Sequence, residues 1–198
     1  MKTRAILLSI LINFGPVALT RGQGLSSPTR NRLIIRSDQF GSIQQLLDDQ
    51  TVRGYVVSGI SYHSSIRDLH SKGRLEIDLE IPATPQKHEY RALITEMESK
   101  GLQTALNEYG AKGFRLLGQT PIPLELGLVR PKDMFVAVME KNVAAASHYD
   151  YRVVSYRHQP WVRKQISQAV TDGFTQACKH QFGPLTYLVM EKITTSSP

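Results

Sequence analysis

The feature that most constrains this chain is a glycine followed directly by an aromatic residue, which occurs three times. The glycines lie 59 and 60 positions apart. Glycine readily ends a helix in a left-handed conformation, and an aromatic residue just after it is typical of the start of a strand. The spacing therefore predicts three copies of one helix-to-strand junction. The three pairs are Gly54-Tyr55, Gly113-Phe114 and Gly173-Phe174.

The residues before each glycine repeat as well. Apolar side chains stand eleven and seven positions upstream in all three copies. The offset of four between them places both on one face of a helix. Each copy thus predicts an amphipathic helix that ends at its glycine. The apolar pairs are Ile43 and Leu47, Leu102 and Leu106, and Val162 and Ile166.

Extended segments flank each of these helices. An apolar run precedes the helix in every copy, and the second and third copies both end in Val-Met-Glu-Lys, at 138–141 and 189–192. In the first copy Leu75, Ile77 and Leu79 alternate with acidic residues, which is the pattern of a strand with one face exposed to solvent. The sequence therefore predicts an α+β fold of three degenerate β-α-β-β units, each an antiparallel sheet with one helix packed on it.

The predicted units cover residues 32–83, 88–142 and 148–193, followed by a short tail at 194–198. Residues 23–31 are rich in Gly, Ser and Pro and predict a flexible lead-in. One such unit can bury only one face of its sheet under its helix. The three units are therefore expected to share a core.

Residues 1–22 have the three-part form of a secretory signal peptide. Lys2 and Arg4 precede an apolar run over 5–14, and a Gly-Pro pair ends the run before two small residues. This pattern predicts export with cleavage, to the periplasm or outside the cell, with no membrane span left in the product. Two interpretations stay open beside it, an uncleaved N-terminal anchor and a helix of the folded core.

Charge and cysteine content limit the chemistry further. The net charge is +7, and the predicted signal peptide carries three of the basic residues and no acid, so the exported product would carry about +4. Cys178 is the single cysteine, which rules out an intramolecular disulfide and a cysteine-rich metal site. We predict that it packs as a small apolar side chain.

No recognised catalytic motif occurs in the sequence. Phosphate loops, dinucleotide turns and zinc-protease pairs are absent, and the six histidines are irregularly spaced. Ser61 lies in a segment that starts like a nucleophile elbow but lacks its second glycine. We therefore predict no catalytic residue, no metal and no cofactor. The alternative is an enzyme or small-ligand binder with a pocket between units, lined by Tyr62, His63, Tyr156 and His158.

Basic and aromatic residues concentrate around the start of the third helix and predict an interaction patch. The expected function is a non-catalytic binding or assembly module that contacts an unknown protein partner or a second copy of itself. An anionic envelope polymer is an alternative, whereas the shortness of the patch and the predicted export disfavour nucleic acid. The patch consists of Arg152, Arg157, His158, Trp161, Arg163 and Lys164.

One stretch of the second unit is similar to a family signature. The segment that ends at Phe114 reads Leu-Asn-Glu-Tyr-Gly-Ala-Lys-Gly-Phe. It resembles the small bacterial domain of unknown function 4177, with its pattern Leu-Asn-x-x-Gly-x-x-Gly-Trp-Glu-Leu. Here Phe114 replaces the tryptophan and Arg115 the acid, while Asn107 and Gly110 match. The resemblance is best over 88–141, and it implies the fold of the unit but no activity or cofactor.

Overall fold

A computed structural model of the protein describes residues 29–63, 74–84, 87–124, 132–144, 147–157, 161–182 and 184–195. The predicted signal segment 1–22 lies outside these ranges. The first unit contains β1 (Arg30–Arg36), a 3-10 turn (Ser37–Ser42), α1 (Ile43–Val52), β2 (Val56–His63) and β3 (Arg74–Glu80). The second contains β4 (His88–Glu96), α2 (Ser99–Gly110), β5 (Arg115–Leu124) and β6 (Lys132–Asn142). The third contains β7 (Ser147–Tyr156), α3 (Trp161–Thr171), β8 (Thr175–Phe182) and β9 (Leu185–Thr195).

Each unit forms its own three-stranded antiparallel sheet with its last strand in the centre. The strand orders are β1-β3-β2, β4-β6-β5 and β7-β9-β8. The predicted α+β fold of three β-α-β-β units is therefore confirmed. Because the first two strands of a unit run in the same direction, the connection between them must cross the sheet, and the helix makes this crossing.

The glycine junctions have the predicted geometry. The backbone φ angle is +84° at Gly54 and +88° at both Gly113 and Gly173. After each glycine the chain turns back onto its helix, so that the N–H of Phe114 donates to the carbonyl of Tyr109 at 3.0 Å. The same bond closes the other two helices at 3.1 and 2.9 Å. Glycine is favoured at all three positions because other residues rarely adopt a positive φ.

A β-bulge follows every junction at the same place. The register of the second strand shifts at Ser58, Leu117 and Ala177, each four residues after its glycine. These three residues share no side-chain type, so the sequence pattern does not reveal the bulge. The bulge bends the strand and disturbs its regular hydrogen bonding at this point.

The aromatic residue of the junction packs between two cations in the second and third units. Phe114 is 4% exposed, and the charged groups of Arg91 and Lys141 lie 5.6 and 5.7 Å from its ring centre. The stem of Lys141 also covers Gly113, which accounts for the lysine that ends the repeated tetrapeptide. The third unit repeats the arrangement with Phe174, Arg152 and Lys192.

The units stack in chain order around three apolar clusters. In the first cluster, α1 and one face of the first sheet pack against the second sheet, and the second cluster joins the second and third units in the same way. The third cluster contains buried residues of the third unit alone. In the part of the chain that the structure describes, the stack is therefore open, with two different ends. The third cluster consists of Ala169, Phe174, Leu188 and Met190, with partly buried neighbours.

Candidate interaction surface

The second and third units are joined by side-chain amides of α2 that bind the outer edge of β7. Asn107 accepts a hydrogen bond from the N–H of Tyr151 at 2.6 Å and donates to its carbonyl at 3.2 Å. Gln103 accepts from the N–H of Val153 at 3.0 Å. Since β7 pairs with β9 along its other edge, these amides bond backbone groups that an additional strand would otherwise bond.

The first and second units are joined in the same way. Gln44 of α1 donates to the carbonyl of Tyr90 at 3.0 Å and accepts from the N–H of Ala92 at 3.0 Å. Gln44 directly follows Ile43, just as Gln103 directly follows Leu102. In both joints, therefore, the helix of one unit hydrogen-bonds to the first strand of the next unit. The bonds reach the free edge of that strand at two alternate residues.

A buried tyrosine completes each joint. The Tyr151 hydroxyl accepts from the N–H of Leu116 at 2.7 Å, and the Tyr90 hydroxyl accepts from the N–H of Val57 at 3.0 Å. Both N–H groups stand three residues after a junction glycine, beside the bulge. Burial raises the pKa of both tyrosine hydroxyls above their usual value. Each unit after the first thus inserts one tyrosine into the bulge of the unit before it.

Tyr151→Phe is expected to lower the free energy of unfolding by about 1–3 kcal/mol, because the buried N–H of Leu116 loses its partner. The pKa of Tyr151 is raised in the folded state, so its contribution is complete below the unfolded pKa of about 10 and is lost as pH rises above it. Urea unfolding at about pH 8 and about pH 11 measures both effects. The variant should lose less stability between these pH values than the wild type.

The matched control for this prediction is Tyr109→Phe. The Tyr109 ring packs edge-on against Phe114, and the substitution keeps that contact. We expect a change below about 0.5 kcal/mol. Equal stability of Tyr151→Phe and wild type at both pH values would contradict the proposed role of the hydroxyl.

The side of the helix and sheet that forms a joint in the first two units is also present in the third unit. Within the described chain, no further unit packs on that side of the third unit. Arg163 and Ser167 directly follow Val162 and Ile166, as Gln103 and Asn107 follow the two apolar residues of α2. On β8, Gln176 and Lys179 stand three and six residues after the junction glycine. With the exposed Val170 these residues form a surface that we call the terminal face. Its members are Arg163, Ser167, Val170, Gln176 and Lys179, all exposed.

The terminal face is polar at one position where both inner joints are apolar. Val57 and Leu116 occupy the position of Gln176 in the first two units and are buried. Arg163 and Lys179 make the face basic, and none of its five residues is acidic. Asp172, at the end of the same helix, is paired with Arg152 at 2.6 Å. The terminal face therefore has positive charge that its own residues do not balance.

The structure divides the interaction patch predicted from the sequence. Arg152 has a packing role, because its guanidinium pairs with Asp172 and lies 4.4 Å from the Phe174 ring centre. Arg157, Arg163 and Lys164 are exposed, and Arg163 belongs to the terminal face. His158 and the side chain of Trp161 lie outside the described part of the structure.

Sequence reasoning missed Gln176 and Lys179. They lie on β8 away from the basic cluster around the third helix, so clustering along the chain does not group them with Arg163. A comparison of residues at equal distances from the three glycines would have found them. At the position of Gln176 the other copies have Val57 and Leu116.

The opposite end of the stack is the outer face of the first sheet, and it is ion-paired. Arg32 contacts Asp78 at 2.7 Å and Glu76 at 3.1 Å, and Arg74 contacts Glu76 at 2.9 Å. The equivalent positions of the second unit are apolar and pack into the first cluster. A groove of about 660 Å³ runs beside Arg30 and Asp78. This end is polar, and two of its acids, Glu76 and Asp78, already have arginine partners.

The residues that suggested catalysis do not have a catalytic arrangement. The Ser61 hydroxyl lies 3.4 Å from Nε2 of His63, and a Glu76 carboxylate oxygen lies 3.4 Å from the same nitrogen. A serine–histidine–acid relay needs the serine and the acid on opposite ring nitrogens. Tyr62 packs against the first cluster and Tyr156 against the third, so the described members of the alternative pocket are not brought together.

Cys178 packs as predicted. Its sulfur lies 3.6 Å from the side-chain oxygen of Gln119, and burial raises the pKa of the thiol to about 12. A thiol in this environment stays protonated and is a poor nucleophile. His180 also faces Gln119, and burial lowers its pKa despite a hydrogen bond to the Gln119 backbone.

Two features are absent from the described residues. No group of three or more His, Cys, Asp or Glu side chains is placed to hold a metal ion there. Among the helices of the same residues, none is long and apolar enough to cross a membrane.

Comparison with known proteins found no match among protein families, curated proteins or solved structures. The resemblance to the domain of unknown function 4177 therefore rests on the residues of the second unit. Two of the matching residues have packing roles at the joint with the third unit. Asn107 bonds to the backbone of Tyr151, and Gly110 lies against the carbonyl of Tyr149.

Proposed function

We propose that this protein is a non-catalytic binding module that contacts another protein through the terminal face. The observation that carries the proposal is the repeated joint. Two of the three helices bind the edge of a following strand, and the third exposes the same side. There Arg163 replaces a strand-binding amide, and Gln176 replaces a buried apolar residue. A surface already shaped to hold a strand needs little change to hold one from a partner.

The charges at the two ends favour a foreign partner over self-association. Joining two copies end to end would place Arg163 and Lys179 against the outer face of the first sheet. At the two strand positions that would make the contact, that face carries Arg30 and Arg32, and two of its acids, Glu76 and Asp78, already pair with arginines. Polar terminal units are also what keeps an array of repeats from extending indefinitely.

The proposed place of action is the cell envelope or the exterior, on the strength of the signal-like residues 1–22. The intact mass of the protein from each fraction of its native host tests this location. Loss of roughly 20 residues in an extracytoplasmic fraction would support export. Full-length protein in the cytoplasm would reject it, and full-length protein in the membrane would indicate an uncleaved anchor.

A photo-crosslinking residue at Ser167, expressed in the native host, tests the binding surface. We expect one protein to be captured from Ser167 but not from Gln45, an exposed residue of α1 that serves as the control. Arg163→Glu should abolish the capture because it reverses charge at the face. Equal capture from both positions, or none from either, would contradict the proposal. Capture of a polysaccharide instead would favour the anionic polymer.

A further inference from the structure

We infer that the partner of the terminal face is an extended edge strand with acidic side chains at two alternate positions. The inference rests on the proposed function and specifies the partner's chemistry. In each inner joint, a helix hydrogen-bonds to two alternate residues, i and i+2, on the open edge of one strand. At the second joint these residues are Tyr151 and Val153.

The polar groups of α3 differ from those of α2 in one informative way. Gln103 accepts a hydrogen bond from a backbone N–H, whereas the guanidinium of Arg163 at the same position can only donate. The hydroxyl of Ser167 can donate and accept, as Asn107 does. Backbone recognition is therefore retained at Ser167, while Arg163 requires a carbonyl or, more favourably, a carboxylate near position i+2.

The β8 residues of the terminal face also favour an acidic side chain on the partner, in this case at position i. In the second joint the Tyr151 side chain reaches the N–H of Leu116 at the bulge. The corresponding N–H is that of Gln176, and Lys179 lies on the same strand at the position of Gln119. A carboxylate accepts from a backbone N–H and from an ammonium group at the same time. Acidic side chains at i and i+2 thus complement Gln176, Lys179 and Arg163.

The segments of this chain that could occupy the terminal face do not carry acids at the two required positions. In a second copy, the strand residues equivalent to Tyr90 and Ala92 are Arg30 and Arg32, which would place two arginines against Arg163 and Lys179. The N-terminal segment 1–28 has basic residues and no acid. Like charges in contact oppose association, so the fitting occupant is an acidic strand of another protein.

A defined peptide probe tests this inference. The probe is a disulfide-cyclised β-hairpin with glutamate at i and i+2 of one edge strand, compared with the same hairpin carrying glutamine. By calorimetry at about 50 mM and about 300 mM salt, we expect the glutamate hairpin to bind roughly tenfold more tightly at low salt, with the advantage reduced at high salt. Arg163→Ala and Lys179→Ala should each weaken binding about fivefold.

Lys100→Ala, on the exposed side of α2, is the matched control and should leave binding unchanged. Equal affinity for the two hairpins, or equal weakening by Lys100→Ala, would overturn the inference. If no hairpin binds but Ser167 still crosslinks to a protein, the acidic-strand inference is wrong and the proposed function stands. If both experiments are negative, both proposals fail.

Discussion

Gly110→Ala is expected to destabilise the protein by about 2–4 kcal/mol, although alanine stabilises most helices relative to glycine. Gly110 is the last residue of α2 and is buried against β7. A β-carbon there would overlap the carbonyl oxygen of Tyr149 and lie 3.0 Å from the ring of Tyr151. Because the obstacle is largely backbone, the third unit would have to move away from α2. That movement would also break the bonds from Asn107.

Gly101→Ala provides the control within the same helix. A β-carbon at Gly101 would meet nothing within 4 Å, so this substitution is expected to leave stability unchanged or raise it by up to about 1 kcal/mol. Urea unfolding of both variants measures the difference. Effects of the same sign at the two glycines would contradict the close approach of α2 to β7.

Arg115→Ala is expected to cost about 2–4 kcal/mol, because it leaves the Glu191 carboxylate without its cation. Arg115 of β5 reaches across the second joint and bonds Glu191 of β9 through two nitrogens, at 3.0 and 2.6 Å. The Glu191 side chain is 6% exposed and that of Arg115 is 54% exposed. The carboxylate is therefore removed from water, and a buried charge without a partner is strongly unfavourable.

Two further variants test whether the lost stability comes from the unpaired Glu191 carboxylate. Arg115→Ala combined with Glu191→Gln should recover part of the lost stability, since a neutral amide is less costly to bury than a carboxylate. Lys112→Ala removes the cation of an exposed pair with Glu108, at 2.8 Å beside the end of α2, and should leave stability close to that of the wild type. If Arg115→Ala proves as mild as Lys112→Ala, the pair does not hold the third unit in place.

The prediction of the units succeeded because its signals are local. Helix periodicity, strand alternation and the positive φ of a junction glycine depend on residues that are neighbours in the chain. Gly54, Gly113 and Gly173 therefore marked the ends of all three helices correctly. Cys178 was also predicted correctly as a packed thiol, since a lone cysteine in a strand is usually buried.

The candidate site was predicted only in part, because its definition depends on contacts between distant residues. Arg152 looked like an exposed cation in the sequence, but Asp172 and Phe174 fold back to engage it. No arginine or lysine lies within ten residues of Lys179 in the chain, yet Lys179 shares the terminal face with Arg163 once α3 packs on its sheet. Neither result follows from composition or periodicity.

By itself the sequence determined the number of units, the type and order of their elements, and the residue that ends each helix, because these depend on short-range backbone and side-chain preferences. The tertiary structure alone decided how the units stack and which face of each meets the next. Contacts such as Gly110 with Tyr149 and Arg115 with Glu191 join different units. Their geometry exists only after the sheets have packed, and that packing leaves the terminal face exposed.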